Sequence, residues 1–581
     1  MIWRVSWPYL RMHKSRLVGI LLLQLLAAIG ALLLPDLNAA VIDDGVVSGD
    51  VPTVWKLGGV MLAVSAIQGV AQGFAVYYSA RMAMGLGAHL RSAIFDHIQD
   101  LSVREVHQLG APSLITRSTN DIQQIQMVVL MIFTFIVTAP MMGIGGIFMA
   151  LRTNVHLGWI LAAIVPTIAA IVIFAWRLLN PLFLSQQQRL DGLNTVLREE
   201  LSGVRVIRAF VRQKMFSTRY TDANTALKRI ALRIGAVFAL IFPLLSIVAS
   251  FGSVAVIWFG SRLIDTGEME IGQLFAYISY LAIIFGATMM ASMMFFMLPR
   301  AEVTARRVQE VFSTAPSVTA PPANDLKEFP NGKLSFALKD ATVQYPGAEE
   351  PVLKDISVEL TPGTSTAIIG TTGSGKSTMA SLFPRLMDPS GGAVLVNGID
   401  VRDLDPETLR SHIGFVPQTA YLFSGTIAST VSGVDHPDAE QVERIERALR
   451  ATASAEFVSK LDDRLEHEVE PGGKNFSGGQ RQRLTMARAL YRDADLYIFD
   501  DSFSALDYAT DAEIRNSLRH YVGDAAILIV AQRVATIRHV DTILVIEDGR
   551  IVGRGTHRFL VENCPTYRQI VESQESGLEA T

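Results

Sequence analysis

Cysteine is almost missing from this sequence. Cys564 stands alone, so no intrachain disulfide can form, and a single thiol near the C-terminus reads as incidental rather than catalytic. Charge is sparse as well: Asp, Glu, Lys and Arg make up 18% of the residues, against 50% hydrophobic and a mean hydropathy of +0.32. A soluble protein of 581 residues is rarely so apolar, so a membrane portion is expected, and the length calls for several domains. The formal net charge of -4 gives no reason to expect nucleic acid or another polyanion as a partner.

Lys and Arg are absent from 37–53, whereas 177–233 is rich in them: Arg198, Arg205, Arg208, Arg212, Lys214, Lys228, Arg229 and Arg233. These segments alternate with six apolar runs, at 17–36, 54–78, 127–151, 157–176, 234–260 and 271–298, each long enough to cross a bilayer. The charge asymmetry places the long polar connections and both termini in the cytoplasm of a multi-pass cell-membrane protein. The first run is too long for the core of a signal peptide and is followed by five more, so it reads as a membrane helix. Trp3 and Trp7 beside Arg4, Arg11, Lys14 and Arg16 fit a helix lying at the membrane surface over 1–16.

The long connections are not loop-like. The stretch DGLNTVLREELSGVRVIRAFVRQKMF has few breakers and helical spacing of its apolar residues. A helix continued by about 25 residues reaches roughly 35–40 Å past the membrane, far enough to carry motion from a soluble domain. A transmembrane domain is therefore expected over 17–312 and a Pro/Ala/Ser/Thr linker over 313–333. A mostly parallel α/β domain follows over 334–581, where short apolar strands alternate with amphipathic helices.

The clearest chemical signal is STAIIGTTGSGKSTMASLF, 365–383. An apolar strand runs into Gly370, Thr371, Thr372, Gly373, Ser374, Gly375, Lys376 and Ser377, then Thr378 and a helix: a phosphate-binding loop in its required setting. Glycines let backbone N–H groups turn toward phosphate oxygens, Lys376 is placed for the β and γ phosphates, and the Ser377 hydroxyl for Mg²⁺. Downstream, LYIFDD delivers Asp500 at a strand tip, suited to hold Mg²⁺ through water. ATP and Mg²⁺ are the implied cofactors.

NFSGGQRQRLTMARAL, 475–490, completes the pattern, and with it the chain resembles the ATP-binding cassette (ABC) family of exporters over nearly its whole length. The resemblance implies a multi-domain membrane protein with a six-helix transmembrane domain of the ABC exporter type and an α/β P-loop nucleotide-binding domain. It implies that Ser477, Gly478, Gly479 and Gln480 cap the γ-phosphate of ATP held by an opposite cassette. Tyr345 matches the aromatic that stacks on adenine, and Gln418 the glutamine near Mg²⁺, so the metal set is Ser377, Gln418 and Asp500. SALD, 504–507, matches a loop at the dimer interface; HEVEPGG, 467–473, departs from the usual residues. RSTNDIQQIQ, 117–126, and ELSGVRVIRAF, 200–210, are similar to the cytoplasmic helices of that class.

Two positions depart from the family in one half-site. The catalytic glutamate is replaced by Asp501, one methylene shorter, and the switch histidine by Gln532, which hydrogen-bonds but does not titrate near neutral pH. His539 lies seven positions on, too far to substitute. With every ATP-holding residue retained, the resemblance implies a heterodimer of half-transporters. The site built on Lys376 and Asp500 binds ATP but turns it over poorly, and the signature of this chain completes the partner's site. Methionines at 289, 290, 293, 294 and 297 in the sixth run, and at 127, 131, 141, 142 and 149 in the third, suit either an adaptable path for a lipophilic small-molecule cargo or simple packing between helices. No Asp, Glu, Lys or Arg interrupts the sixth run, which argues against an ion path. Export of lipophilic or amphipathic, drug- or lipid-like compounds is the leading expectation. The alternatives are an importer built on the exporter fold, with a siderophore-like or lipid cargo, and an ATP-gated regulatory membrane protein.

Overall fold

The computed structural model describes residues 1–322 and 324–579; the side chains of 293, 295–300 and 575–579 lie outside the described set. The expectation for Met293 and Met297 therefore falls outside the described residues. The chain forms two compact units, Met1–Ile98 with Leu109–Thr314, and Gln99–Gln108 with Ala315–Thr581.

The first unit is helical: α1 (Ile2–Met12), α2 (Lys14–Ala40), α3 (Val51–Asp100), α4 (Val103–Leu109, mostly within the other unit), α5 (Ala111–Thr116), α6 (Ile122–Phe135), α7 (Thr138–Thr153), α8 (Gly158–Ala209), α9 (Gln213–Asp265) and α10 (Ile271–Ser313). Among the described residues, six helical stretches are long and apolar enough to cross a membrane, the number read from composition. The cytoplasmic connections are helical as well, since α8 and α9 run 52 and 53 residues each and meet at a turn over 210–212. α1 buries Ile2, Val5 and Leu10 while Trp3 and Trp7 stack on each other in the open, an amphipathic arrangement fitting a membrane surface.

The third run differs from expectation. It is broken at 136–137 because Pro140 lacks the N–H that a continuing helix needs; α7 restarts with this proline in its first turn, where none is required. Met142 and Met149 pack against the cluster that contains Leu32, Tyr277, Tyr280 and Leu281, so these two methionines are packing residues. A π-helical turn at Arg117–Asp121 precedes α6, and its charges pair with α10: Arg117 with Glu310 at 2.9 Å and Asp121 with Arg307 at 3.3 Å.

The second unit holds two main sheets. β1 (Phe336–Val343), β2 (Leu353–Leu360), β4 (Gly391–Val396) and β5 (Ile399–Asp400) form an antiparallel sheet in the order β2-β1-β4-β5. This sheet was not expected; the mostly parallel reading holds only for the other. In β1 and β2 buried and exposed residues tend to alternate, the pattern of a sheet with one wet face. The larger sheet has the order β12-β11-β3-β10-β9-β6. It contains β3 (Ser365–Gly370), β6 (Ile413–Val416), β9 (Leu496–Asp500), β10 (Ala526–Val530), β11 (Thr542–Glu547) and β12 (Arg550–Gly555). All its pairings are parallel except β11 with β12, and β9 and β10 are buried at every position, as two covered faces require. A short pair, β7 (Gly425–Thr426) and β8 (Glu468–Val469), completes the strands.

The helices α11 (Lys376–Leu382), α12 (Pro406–Ser411), α13 (Ile427–Ser432), α14 (Ala439–Ala451), α15 (Ala455–Ser459), α16 (Gly478–Tyr491), α17 (Tyr508–Tyr521), α18 (Val534–Ile537), α19 (His557–Asn563) and α20 (Pro565–Glu579) cover these sheets. Among the described residues the linker has no helix or strand beyond Ser313, yet it is tied down. Arg385 donates to the Thr319 carbonyl at 3.0 Å, and Lys327 pairs with Asp403 at 2.7 Å. Gln99–Gln108, expected within the transmembrane domain, groups with the cassette: Glu105 accepts the backbone N–H of Ser102 and of Ser317, at 3.0 and 3.4 Å.

Candidate nucleotide-binding site

In an open α/β sheet, ligands collect at the carboxyl ends of the strands. Three such ends meet here: Gly370 closes β3, Asp500 closes β9, and Val530 closes β10, where it pairs with Ile368 and Asp500 in register. β10 lies between the other two, so the phosphate loop and the acidic pair face each other across one strand.

The loop after β3 needs its glycines for steric reasons. A Cβ on Gly370 would stand 2.1 Å from the Ile546 carbonyl oxygen, and Gly375, at φ +97°, would place one 3.0 Å from the Val352 oxygen. Lys376 is buried and donates from Nζ to the carbonyls of Gly370 and Thr371 at 3.0 and 2.7 Å. Burial pushes its ammonium down from the ordinary lysine value, against the opposing pull of Asp501 and Asp500. The Ser374 hydroxyl is buried and has no hydrogen-bond partner among the described residues, which suits it to a phosphate oxygen. Tyr345, from the loop joining β1 to β2, sets its hydroxyl 3.1 Å from Thr378 Oγ1 and leaves its ring partly exposed beside α11.

Ser377 Oγ donates to Asp500 Oδ1 at 2.9 Å. Burial raises the Asp500 carboxyl, as does neighbouring Asp501, while the Ser377 bond and Lys376 work in the other direction. A hydroxyl and a carboxylate in contact are hard oxygen donors, the chemistry Mg²⁺ takes when phosphates and water fill its other positions. Gln418, the third member of the expected metal set, points its amide nitrogen at Asp501 Oδ2, 3.4 Å away, instead of joining Ser377 and Asp500.

The altered positions come together. Gln532 Nε2 donates to Asp501 Oδ2 at 2.8 Å, so two amides address one carboxylate oxygen. Asp501 has a left-handed backbone, φ +47°, which turns the chain off β9, and its N–H reaches the Val530 carbonyl at 3.0 Å. Burial raises its carboxyl too, against the Gln418 bond and the Lys376 charge. Arg533 was not singled out from sequence; it donates to the Ser504 carbonyl at 3.3 Å and lies 5.4 Å over the Tyr508 ring. Only its place beside Gln532 hinted at a role.

Ser477 to Gln480 stand apart. Ser477 caps α16 by accepting the Gln480 N–H at 3.3 Å, and the Gln480 side chain accepts the Ser477 N–H at 2.9 Å. Among the described residues no hydrogen bond joins this turn to Lys376, Asp500, Asp501 or Gln532. A Cβ on Gly478 would meet nothing within 4 Å, so the turn presents open backbone.

Comparison with known proteins places the chain. Residues 17–288 match the ABC transporter transmembrane region and residues 353–504 match the ABC transporter family. An uncharacterized ABC transporter ATP-binding protein of Mycobacterium tuberculosis is 46% identical over 576 residues, covering 99% of this chain and 98% of its own. The chain belongs to the ABC transporter family. The ATP-dependent lipid A-core flippase of Vibrio vulnificus is 27% identical, covering 97% of this chain and 96% of its own. The multidrug efflux ATP-binding/permease protein of Mycobacterium tuberculosis is 30% identical over 98% of this chain and 47% of its own length. A bacterial Atm1-family ABC exporter with ATP bound superposes at a TM-score of 0.80, with 22% identity, 97% of this chain and 99% of that one covered; this shows the fold. The ABC exporter is thus a multi-pass membrane protein with a cytoplasmic cassette, and its ABC domain marks it as an ATP-driven transporter.

Proposed function

We propose that this chain is one half of a heterodimeric exporter of lipophilic or amphipathic compounds, and that its own ATP site binds nucleotide but turns it over slowly. One observation carries this reading: Asp501 Oδ2 accepts from Gln532 at 2.8 Å, with Gln418 at 3.4 Å. One oxygen of the Asp501 carboxylate is engaged by amide donors, and among the described residues no imidazole hydrogen-bonds to it. A shorter acid held by two amides is a poor base, because general-base efficiency depends on reach and on a free lone pair.

The holding parts are kept. Lys376 would exchange its two loop carbonyls for the β and γ phosphates, Ser374 would add a hydroxyl, and Tyr345 would offer its ring to adenine. Ser377 and Asp500 would hold Mg²⁺, which when bound neutralises charge on the β and γ oxygens. Ser477, Gly478, Gly479 and Gln480 cap the site of a second half-transporter with open backbone and a helix N-terminus. The need for a partner is supported by the tip of the α8–α9 hairpin, where Leu201, Val206, Phe210 and Val211 are 60–79% exposed. Tips of this kind lie past the apolar runs, where lipid does not cover them. The cargo class draws on the relatives named for multidrug efflux and lipid A-core flipping.

The test is phosphate release by the full chain in lipid nanodiscs. The unaltered chain alone should be slow, and Asp501→Glu with Gln532→His should raise its rate at least about tenfold. Rapid turnover by the unaltered chain alone, abolished by Lys376→Ala, would overturn the proposal.

A further inference from the structure

A side chain outside the nucleotide site grips the loop over 532–534 by two hydrogen bonds. Gln574, on α20, donates from Nε2 to the backbone carbonyl of Gln532 at 2.7 Å and accepts the backbone N–H of Val534 at 2.8 Å. A carboxamide carries a donor and an acceptor side by side, so it can pair with a peptide as a strand edge would. The two bonds bracket Arg533. α20 itself is fixed by Tyr567 and Val571, buried in the same core as Val534 and Ile537, and Gln574 follows Val571 by three positions on that face.

Inside the bracket, the loop reaches Asp501 by two routes. Gln532 donates to the Asp501 carboxylate at 2.8 Å. Arg533 donates to the Ser504 carbonyl at 3.3 Å, and Ser504 Oγ donates to the Asp501 carbonyl at 2.7 Å. A helix near the C-terminus is in this way joined by the hydrogen bonds of Gln574 to the loop that meets the acid of the nucleotide site.

We propose that Gln574 is a positioning residue for turnover: it sets the 532–534 loop so that residue 532 and Arg533 meet Asp501 and Ser504. The inference rests on the reading that residue 532 stands at the switch position. Its test uses the full chain in nanodiscs and Gln574→Met, which keeps length and packing but loses both bonds. In the Asp501→Glu, Gln532→His background, Gln574→Met should lower kcat about tenfold with KM for ATP within about twofold. In the natural chain, amide exchange should quicken both at Val534 and across 501–506. An unchanged kcat, or a change in exchange confined to 533–535, would overturn the proposal. If the double variant gains no turnover, the reading of a slow site fails instead, and the 501–506 exchange of the natural chain decides the role of Gln574 without it. A loss in Gln574→Ala that Gln574→Met restores would make the residue a packing contact and likewise overturn it.

Discussion

The two sides of the nucleotide site use their polar groups differently. On the phosphate-loop side, Ser374 has a buried hydroxyl without a hydrogen-bond partner among the described residues, and Lys376 rests on two loop carbonyls that a phosphate can displace. On the far side, Asp501 is engaged by Gln418 and Gln532, and the loop behind Gln532 is bracketed by Gln574. One side is poised to receive a ligand; the other already spends its donors and acceptors on itself. Receiving a nucleotide and activating water draw on different side chains here, so the two tasks can be altered separately.

The largest expected effect tests the receiving side. Lys376→Ala removes the charge that meets the phosphates, and ATP affinity should fall roughly a hundredfold by nucleotide titration. Retained affinity would erase the distinction between the sides. Next comes the engaged side: Asp501→Glu with Gln532→His should raise phosphate release about 10- to 100-fold while ATP affinity stays within about twofold. A change in affinity as large as the change in rate would show the two tasks to be inseparable.

Two glycines sharpen the comparison further. Gly375→Ala forces a left-handed alanine against the Val352 carbonyl and should cost about 1–3 kcal/mol, read as a lowered Tm with weakened ATP binding. Gly478→Ala meets open space at the start of α16, so Tm should hold or rise slightly, while ATPase of the assembled transporter should drop. The smallest effect is expected away from both sides, at Glu105. Burial works to raise its carboxyl, but bonds from Ser102 and Ser317 outweigh it and hold the group below the ordinary 4.5. A lowered folded value means the stabilisation is present above pH 4.5 and is lost as pH falls through that lower value. Exchange protection of 99–108 should therefore weaken only under acid, by about 1 kcal/mol, and Glu105→Gln should remove the pH dependence.

Much of this was legible along the chain. Membrane helices announce themselves because lipid demands about 20 apolar residues in a row whatever they pack against. The phosphate loop is equally local: glycines at fixed offsets, then Lys376 and Ser377, all within one turn of backbone. Gln418, Asp501 and Gln532 could each be named by resemblance, but their meeting on one carboxylate oxygen could not. That depends on β6, β9 and β10 lying side by side, a register between segments more than eighty residues apart at the widest. Pro140 lay in plain view, yet an apolar count does not register a missing N–H. Gln574 carried no local signal, because a glutamine on an amphipathic helix looks like any solvated residue until its partners are known.

Sequence by itself therefore settled composition-driven and short-range matters: a membrane domain with six spans and an ATP-binding cassette downstream of it. Only the tertiary structure decided which side chains share a hydrogen bond, that the turn over 477–480 stays apart from the loop over 370–377, and that the helix over 565–579 reaches back to the loop over 532–534. The physical reason is range. Backbone geometry and transfer from water act on neighbours along the chain, whereas a hydrogen bond is won or lost over a few tenths of an ångström between strands that only folding brings together.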